Sequence, residues 1–320
     1  MKQWLITMGD FQSPDGMLAG IGWTGKRLKI LWAHRYVLPL ERQLYGKGFT
    51  GAELLPDGDI LTCGFNALYL INPIRKTCRP WLVRDDLNDL HDVAVQGKGG
   101  ERRLIIANTG LDRIDVFRGD GAKLLNRIPL TPLNSESPQI DNDPYFDELA
   151  NADRPIYLRK LRDQVHPNTV LSLKDRIWVS RLNDRALTLV NGEKVTYLPG
   201  LPHDLVPWKG RIWMTTTDGR IWSSNPDLRQ GNPRCEFDSY ICTGRSGWIR
   251  GLSISERLLI VGCTRISRMP RERWTDRSFA HTETGLLLMN RSDGSSLDWL
   301  SLEELGEHPK VFGIYSWSRQ

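Results

Sequence analysis

The chain has 320 residues, of which 40% are hydrophobic and 25% charged, and this is enough to bury a sizeable core. Its 43 Lys and Arg residues are nearly balanced by 38 Asp and Glu residues, for a net charge of +5. That balance disfavours nucleic-acid binding, which requires clustered basic side chains and a recognisable motif. No segment approaches the roughly 20 consecutive apolar residues that span a bilayer, so the sequence predicts no membrane insertion.

The cysteines indicate the compartment. Their number is odd and no two of them are spaced as a CxxC motif. This pattern disfavours a secreted disulfide framework and favours reduced thiols. The first ten residues, MKQWLITMGD, have an apolar core too short for a signal peptide. We therefore expect a cytoplasmic location.

Three strands are predicted near the N-terminus, over residues 4–8, 17–23 and 28–32, with no first strand before them. A single strand is predicted near the other end, over residues 311–317 (VFGIYSW), with no partners after it. Pairing these two ends would complete one four-stranded sheet and remove two open sheet edges.

A repeat of about forty residues runs between those ends. Its clearest copy is 202–224, in which a Lys-Gly turn and a Thr-Asp-Gly turn separate short β-rich runs. The second strand of each copy is predicted over residues 58–63, 103–108, 176–181, 211–216 and 257–262. Five such units and the terminal sheet predict an all-β fold, a six-bladed β-propeller of four-stranded antiparallel blades, in one domain over residues 1–320. A seventh blade would have to be highly degenerate. The twelve tryptophans are expected to pack between the sheets.

Two insertions interrupt the repeat. Residues 131–164 are rich in Pro, Asn and Asp, with a helical pattern over 145–152, and are predicted to form a lid. Residues 266–284 form an Arg-rich loop that contains Arg268, Arg271, Arg273 and Arg277.

Polar residues recur where the first strand of a blade starts and its second strand ends. In a four-stranded meander these points lie at the same end of the central channel, so the pattern predicts a polar site at one mouth. The first strands contribute Glu53, His91, His166, Asn168, His203 and Arg250. The second-strand ends contribute Asn108, Arg181, Asn183, Thr216 and Arg265.

His91, His166 and His203 fall at corresponding places in three successive repeats. Three converging imidazoles suit a divalent metal such as Zn, Mn, Fe or Cu. A metal-free pocket that binds its ligand by hydrogen bonds is an equal alternative, and a purely structural ring is a third. Strand alternation further predicts that Asp92 and Asp204 point away from the axis and orient the rings from behind.

Arg250 occupies the corresponding place in the next repeat. A guanidinium there favours an anionic small-molecule ligand, because its planar fork matches carboxylate, sulfate or phosphate. Arg265 and the second insertion add positive charge, although a solvated basic loop would give the same pattern.

Several of these segments resemble one family. LHDVAV, IIANT, VHPNTV, LPHDLVPWKGRIW, WIRGLSIS and IVGCTRISR, followed by VFGIYSW, look like an uncharacterised bacterial group of β-propeller-like proteins, a domain of unknown function attached in some members to tetratricopeptide repeats. The resemblance covers residues 89–267 and implies recurrent polar positions at His91, Asn108, His166, Asn168, His203 and Arg250-Gly251. It implies no reaction.

The sequence contains no nucleophile elbow, P-loop or HExxH motif, and no GxGxxG that is followed by a helix. We expect an enzyme in which His91, His166 and His203 hold a metal or act as acid and base, with Arg250 on the substrate. Hydrolysis or elimination on an anionic or carbohydrate-like small molecule suits such a site. The alternatives are a non-catalytic ligand- or peptide-binding propeller and a protein-interaction scaffold.

Overall fold

The computed structural model describes residues 1–133, 154–159, 161, 163–227, 233–266 and 282–317. These residues form six four-stranded antiparallel sheets in a ring, with one short α-helix, Ser239–Thr243. The predicted six-bladed propeller is confirmed. The predicted helix over 145–152 and the four arginines of the second insertion lie outside the described residues, and the single-domain boundaries stay a prediction.

The blades follow one another along the chain. Blade 1 contains β4 Ala52–Leu54, β5 Ile60–Cys63, β6 Ala67–Asn72 and β7 Thr77–Val83. Blade 2 contains β8 Leu90–Gln96, β9 Arg103–Asn108, β10 Arg113–Arg118 and β11 Leu124–Pro129. Blade 3 contains β12 Pro167–Leu173, β13 Arg176–Arg181, β14 Ala186–Leu189 and β15 Val195–Tyr197. Blade 4 contains β16 Pro202–Trp208, β17 Arg211–Thr216, β18 Arg220–Ser224 and β19 Arg234–Asp238. Blade 5 contains β20 Trp248–Ile254, β21 Leu258–Thr264, β22 Gly285–Asn290 and β23 Ser296–Ser301.

Blade 6 joins the two ends of the ring, with β24 Pro309–Ser316 innermost, followed by β1 Lys2–Asp10, β2 Ser13–Trp23 and β3 Leu28–Tyr36. Ile6 pairs with Ile314, as the terminal pairing predicted. Beside this seam, the buried Asp10 carboxylate accepts hydrogen bonds from the amides of Gln12 and Glu307 at 2.8 and 2.9 Å. Asp10 therefore links β1 to the segment that leads into β24.

The turns explain the register of the sheets. In blade 4, Trp208 pairs with Arg211, so only Lys209 and Gly210 form the turn. Both have positive φ, 45° and 74°, as a type I′ hairpin requires. The Lys-Gly pair thus fixes which side chains of β16 face the channel.

The core is divided among the blade interfaces. Six hydrophobic clusters are found in the described residues, one between each pair of neighbouring blades. Trp178 of blade 3, for example, packs with Ile212 and Trp222 of blade 4. Because each sheet buries both faces against its neighbours, no blade has a complete core by itself.

Side-chain hydrogen bonds link the inner strands of neighbouring blades, which do not pair through their backbones. Asp92 of β8 accepts from the Val170 amide of β12 at 3.0 Å. Asn168 of β12 in turn donates to the Pro202 carbonyl of β16 at 3.1 Å. These bonds hold the inner strands at a fixed spacing around the axis.

The first prediction concerns the seam. Asp10→Ala removes the buried carboxylate that accepts part-buried hydrogen bonds from the amides of Glu307 and His308, so we expect a loss of about 1–3 kcal/mol in the free energy of unfolding. Urea denaturation measures this loss. Asp57→Ala is the control, because exposed Asp57 bonds only the nearby Asp59 amide and should change stability by less than about 0.5 kcal/mol. Equal effects of the two variants would contradict the role of Asp10.

Candidate functional site

A cavity of about 490 Å³ follows the axis of the ring between the inner strands. At the end where these strands begin, which we call the mouth, its wall includes His91, Asn168 and His203. Farther along, apolar residues such as Val170 and Leu252 alternate with polar ones such as Ser253. The mouth is therefore the most polar part of a mixed channel.

The predicted register of the three histidines is wrong at one position. His91 and His203 are each the second residue of an inner strand, and in blade 3 that position belongs to Asn168. His166 precedes β12, with a left-handed backbone at φ 54°. The Asp112 carboxylate of blade 2 accepts hydrogen bonds from the Val165 and His166 amides at 3.0 and 2.9 Å, and this contact holds the loop in place.

The imidazoles nevertheless meet at the mouth. The ring centroids of His91 and His166 are 4.7 Å apart in an edge-to-face arrangement, and those of His91 and His203 are 6.5 Å apart. His91 thus lies between the other two rings, and the predicted convergence holds although one ring comes from a loop.

Asp92 and Asp204 do not point away from the channel, as strand alternation predicted, because both line the cavity with the histidines that precede them. The cause is a β-bulge near the start of each of these strands, between Leu90 and Asp92 and between Pro202 and Leu205. A bulge inserts an extra residue and redirects the side chains that follow. Similar shifts in strand register occur in β12 and β20.

The bulge of β20 explains the Arg-Gly pair. Gly251 follows Arg250 with φ 73°, and a Cβ on it would lie 2.7 Å from Ile314 Cγ1 of blade 6. Both the backbone conformation and the close approach require glycine here.

Two imidazoles have defined hydrogen bonds on one side of the ring. Because Asn168 Nδ2 donates to Pro202, its Oδ1 faces His91 Nδ1 at 2.6 Å, and that nitrogen carries the proton. His166 Nδ1 similarly donates to the Asp163 carboxylate. In their neutral forms both rings therefore present Nε2 as a hydrogen-bond acceptor.

Some of the buried nitrogens that lack a hydrogen bond within the described part of the chain belong to residues at the mouth. These are His91 Nε2, both ring nitrogens of His203 and Arg250 Nε. His91 Nε2 lies 3.3 Å from Asp89 Oδ1. Unsatisfied groups of this kind cost free energy in the absence of water or ligand, so their clustering at one opening marks a binding site.

The Arg250 side chain is 8% exposed and packs between aromatic rings. Its Cζ lies 5.1 Å from the ring centroid of Trp248 and 5.3 Å from that of Phe312. Burial lowers the pKa of Arg250 to about 10, so the side chain is still a cation at neutral pH. No carboxylate among the described residues forms an ion pair with it, although Asp204 and Asp89 are near enough to favour its charge.

Burial keeps the histidines neutral. It lowers the pKa of His91 to about 4, although Asp89 opposes the shift, and it also lowers the pKa of His203. Burial by itself would raise the pKa of Asp89, but Lys47, whose Nζ lies 2.6 Å from Asp89 Oδ1, and His91 hold it well below its usual range. The mouth therefore combines neutral imidazoles with charged Asp89 and Arg250.

Two carboxyl groups inside the channel have raised pKa values, in contrast to Asp89. Burial raises the pKa of Asp92 well above its usual range and that of Glu53 to about 7. Glu53 lies in the channel wall and accepts a hydrogen bond from the Val95 amide, five residues beyond the start of β8. It is therefore farther from the mouth than the sequence pattern suggested.

No group of three or more His, Cys, Asp or Glu residues within the described ranges has the geometry to hold a metal ion. His91 Nδ1 and His166 Nδ1 face Asn168 and Asp163, so each ring has Nε2 left. Metal-binding histidines commonly donate the proton of their other nitrogen in this way, so the metal stays a prediction.

Four predicted binding residues are used by the scaffold. The Asn108 amide bonds Asp86 and Asp115, Arg181 pairs with Asp184 at 2.6 Å, and Arg265 pairs with Glu303 at 3.3 Å. The Thr216 hydroxyl bonds Asp218 and accepts from Trp222. The remaining predicted residue, Asn183, donates to the Asp163 carbonyl at 3.3 Å and so borders the site.

The described part of the first insertion lies against the loops of blades 1 and 2, and its role as a lid stays a prediction. Its 3-10 helix, Ile156–Leu158, is held by hydrogen bonds from Asn66 to the Tyr157 carbonyl and from Asn88 to the Ile156 carbonyl, at 2.7 and 2.6 Å. The same insertion supplies Asp163 to His166.

Sequence reasoning missed Asp89, Asp163 and Lys47. Asp89 stands two residues before His91 with φ 46°, and this position gave a weak signal because acidic residues are common in left-handed turns. Asp163 and Lys47 lie in irregular segments, where no strand pattern predicts the direction of a side chain.

No family model and no curated protein matches the sequence. Among solved structures, a protein of unknown function from Bacteroides caccae aligns with a TM-score of 0.64 and 11% identity over 98% of both chains. A chain of the nidogen/laminin complex aligns with a TM-score of 0.59 and 12% identity over 98% of this chain and 97% of that one. A proposed 6-phosphogluconolactonase from Bacteroides fragilis aligns with a TM-score of 0.52 and 10% identity, over 100% of this chain and 83% of that one. These likenesses establish the propeller fold, and attachment to tetratricopeptide repeats stays a prediction.

The second prediction follows from the neutral state of His91. Its pKa is about 4 in the folded protein against 6.5 ordinarily, so between these values the unfolded chain binds more protons. The free energy of unfolding should therefore fall as the pH drops from 6.5 towards 4, by up to about 3 kcal/mol from this residue. Urea denaturation at pH 7 and pH 5 measures the fall, and His91→Gln should reduce it. An unchanged pH dependence in the variant would contradict the assignment.

Proposed function

We propose that this propeller is an enzyme that uses histidine as acid and base to hydrolyse, or to eliminate a group from, a small anionic or carbohydrate-like molecule bound at the mouth. The observation that carries the proposal is the group of buried, unpartnered nitrogens of His91, His203 and Arg250 beside the Asp163–His166 pair.

His166 is the proton acceptor in this proposal. Its Nδ1 donates to a carboxylate, which fixes the tautomer and stabilises the imidazolium that forms when Nε2 takes a proton. The only ring hydrogen bond that His166 makes to described residues is the one to Asp163, so Nε2 is available to a substrate. The side chain is 18% exposed and can be reached from the mouth.

Arg250 binds the anionic group of the substrate. Its buried guanidinium has no ion-pair partner among the described residues, so a ligand carboxylate or phosphate would satisfy both its charge and its unpartnered Nε. His91 and His203 would bind neighbouring polar groups of the ligand. No step requires a metal, and the divalent ion considered from the sequence plays no part in this mechanism.

Other findings agree with the proposed function and location. A proposed lactonase shares the fold, which permits such chemistry without establishing it. All five cysteines are free thiols, which supports the proposed cytoplasmic location. No helix among the described residues is long and apolar enough to cross a membrane.

The third prediction tests the base. His166→Ala and Asp163→Asn should each lower kcat by about 100-fold or more, because general-base catalysis contributes that much, while the melting temperature changes little. Turnover can be measured with a panel of sugar lactones and alkyl glycosides of glucuronic acid. His34→Ala is the control, since His34 lies on β3, the outermost strand of blade 6. Turnover that survives both substitutions would overturn the assignment.

The fourth prediction tests the anion site separately from catalysis. In isothermal titration with a panel of small anions, at least one anion should bind the wild-type protein. Its affinity for Arg250→Met should be about 10- to 100-fold lower. Arg118→Met removes the same charge from an exposed pair with Asp120 and should bind as the wild type does. Anion binding without any turnover would favour the non-catalytic binding module, and binding of no anion would favour a protein-interaction scaffold.

A further inference from the structure

We infer that the ligand is a hydroxycarboxylate with a single negative charge, of the size of a sugar acid, rather than a phosphate or sulfate ester with two charges. This inference rests on the proposed function and narrows the anionic ligand to one chemical class.

The charges of the described residues around the mouth leave room for one anionic group. Lys47 is paired with Asp89 at 2.6 Å, and Lys310 donates to the Gly46 carbonyl and lies 3.9 Å from the Phe11 ring centroid. Besides Asp89, the carboxylates of Asp163 and Asp204 border the histidines. A second negative charge on the ligand would therefore face these carboxylates in a buried site where repulsion is poorly screened.

The histidines select for hydroxyl groups. His91 and His166 both present Nε2 as a hydrogen-bond acceptor, because their Nδ1 protons are donated to Asn168 and Asp163. A phosphate dianion has only acceptor oxygens, so it would oppose these lone pairs without supplying a proton. Alcohol groups beside a carboxylate satisfy both nitrogens as donors, while the carboxylate faces the donors of Arg250.

The cavity agrees with such a molecule in size. Its volume of about 490 Å³ falls within the usual range for small-molecule pockets, roughly 300–1,000 Å³. Its wall includes His91 and His203, whereas Arg250 and His166 lie beside it and not in its lining. Below the histidines the wall carries the hydroxyls of Ser172 and Ser253 and the carboxyl of Glu53, which suit a polyhydroxylated ligand.

The test is isothermal titration of the wild-type full chain at pH 7.5 with five probes: sodium D-glucuronate, sodium D-gluconate, sodium acetate, D-glucose and D-glucose 6-phosphate. We expect one of the two carboxylates to bind at least 10-fold more tightly than both glucose and the phosphate ester. Arg250→Met should remove the advantage of the carboxylate over glucose, whereas Arg118→Met should keep it.

The outcomes separate the two proposals. Tighter binding of glucose 6-phosphate would overturn the single-charge inference and leave the anion site standing. Sodium acetate that binds as tightly as glucuronate would overturn the role of the hydroxyl groups. Binding of no anion would overturn both this inference and the proposed function. The comparison of probes on the wild-type protein decides the question even if Arg250→Met does not fold.

Discussion

The inner strands must be held side by side without backbone pairing, and the site depends on how this is done. Bulges occur near the starts of β8, β12, β16 and β20. In β12 and β16, a side chain of the preceding blade bonds a backbone group near the bulge. Asn168 shows the link most directly, since its amide joins the Pro202 carbonyl of one neighbouring blade to the His91 ring of the other. The same bonds that fix the ring therefore also fix the imidazole that borders the cavity.

The polar mouth is maintained by burial rather than by charge pairing. His91 and His203 are neutral because they are desolvated, and Arg250 keeps its charge between two aromatic rings without an ion-pair partner among the described residues. Such a site is costly in stability, because its groups are satisfied neither by water nor by protein. Natural proteins retain arrangements of this kind where function requires them, and preorganised donors and acceptors then bind a ligand with little rearrangement.

The sequence was sufficient for the fold because turn residues and alternation are local signals. Lys209-Gly210 fixes a hairpin, and 211–216 matches β17 residue for residue. The site was only partly predictable, because bulges leave no mark in an alternating pattern: Leu-His-Asp in β8 looks like any regular strand. Strand-end residues such as Asn108 and Thr216 also looked functional, but their side chains close hydrogen bonds that the turns themselves require. The spacing of the repeat identified His166 as a site residue. In the structure, however, it lies in a loop that is held by hydrogen bonds to Asp112.

Phe312 belongs to β24, which is synthesised long after its partner β1. Until then β1 has one unpaired edge, and this edge is a template for association with other chains. The face on which Arg250 packs is likewise incomplete until β24 has been made. Strands that are so far apart in sequence typically pair slowly. The edge of β1 is therefore exposed for a period that a chaperone would shorten.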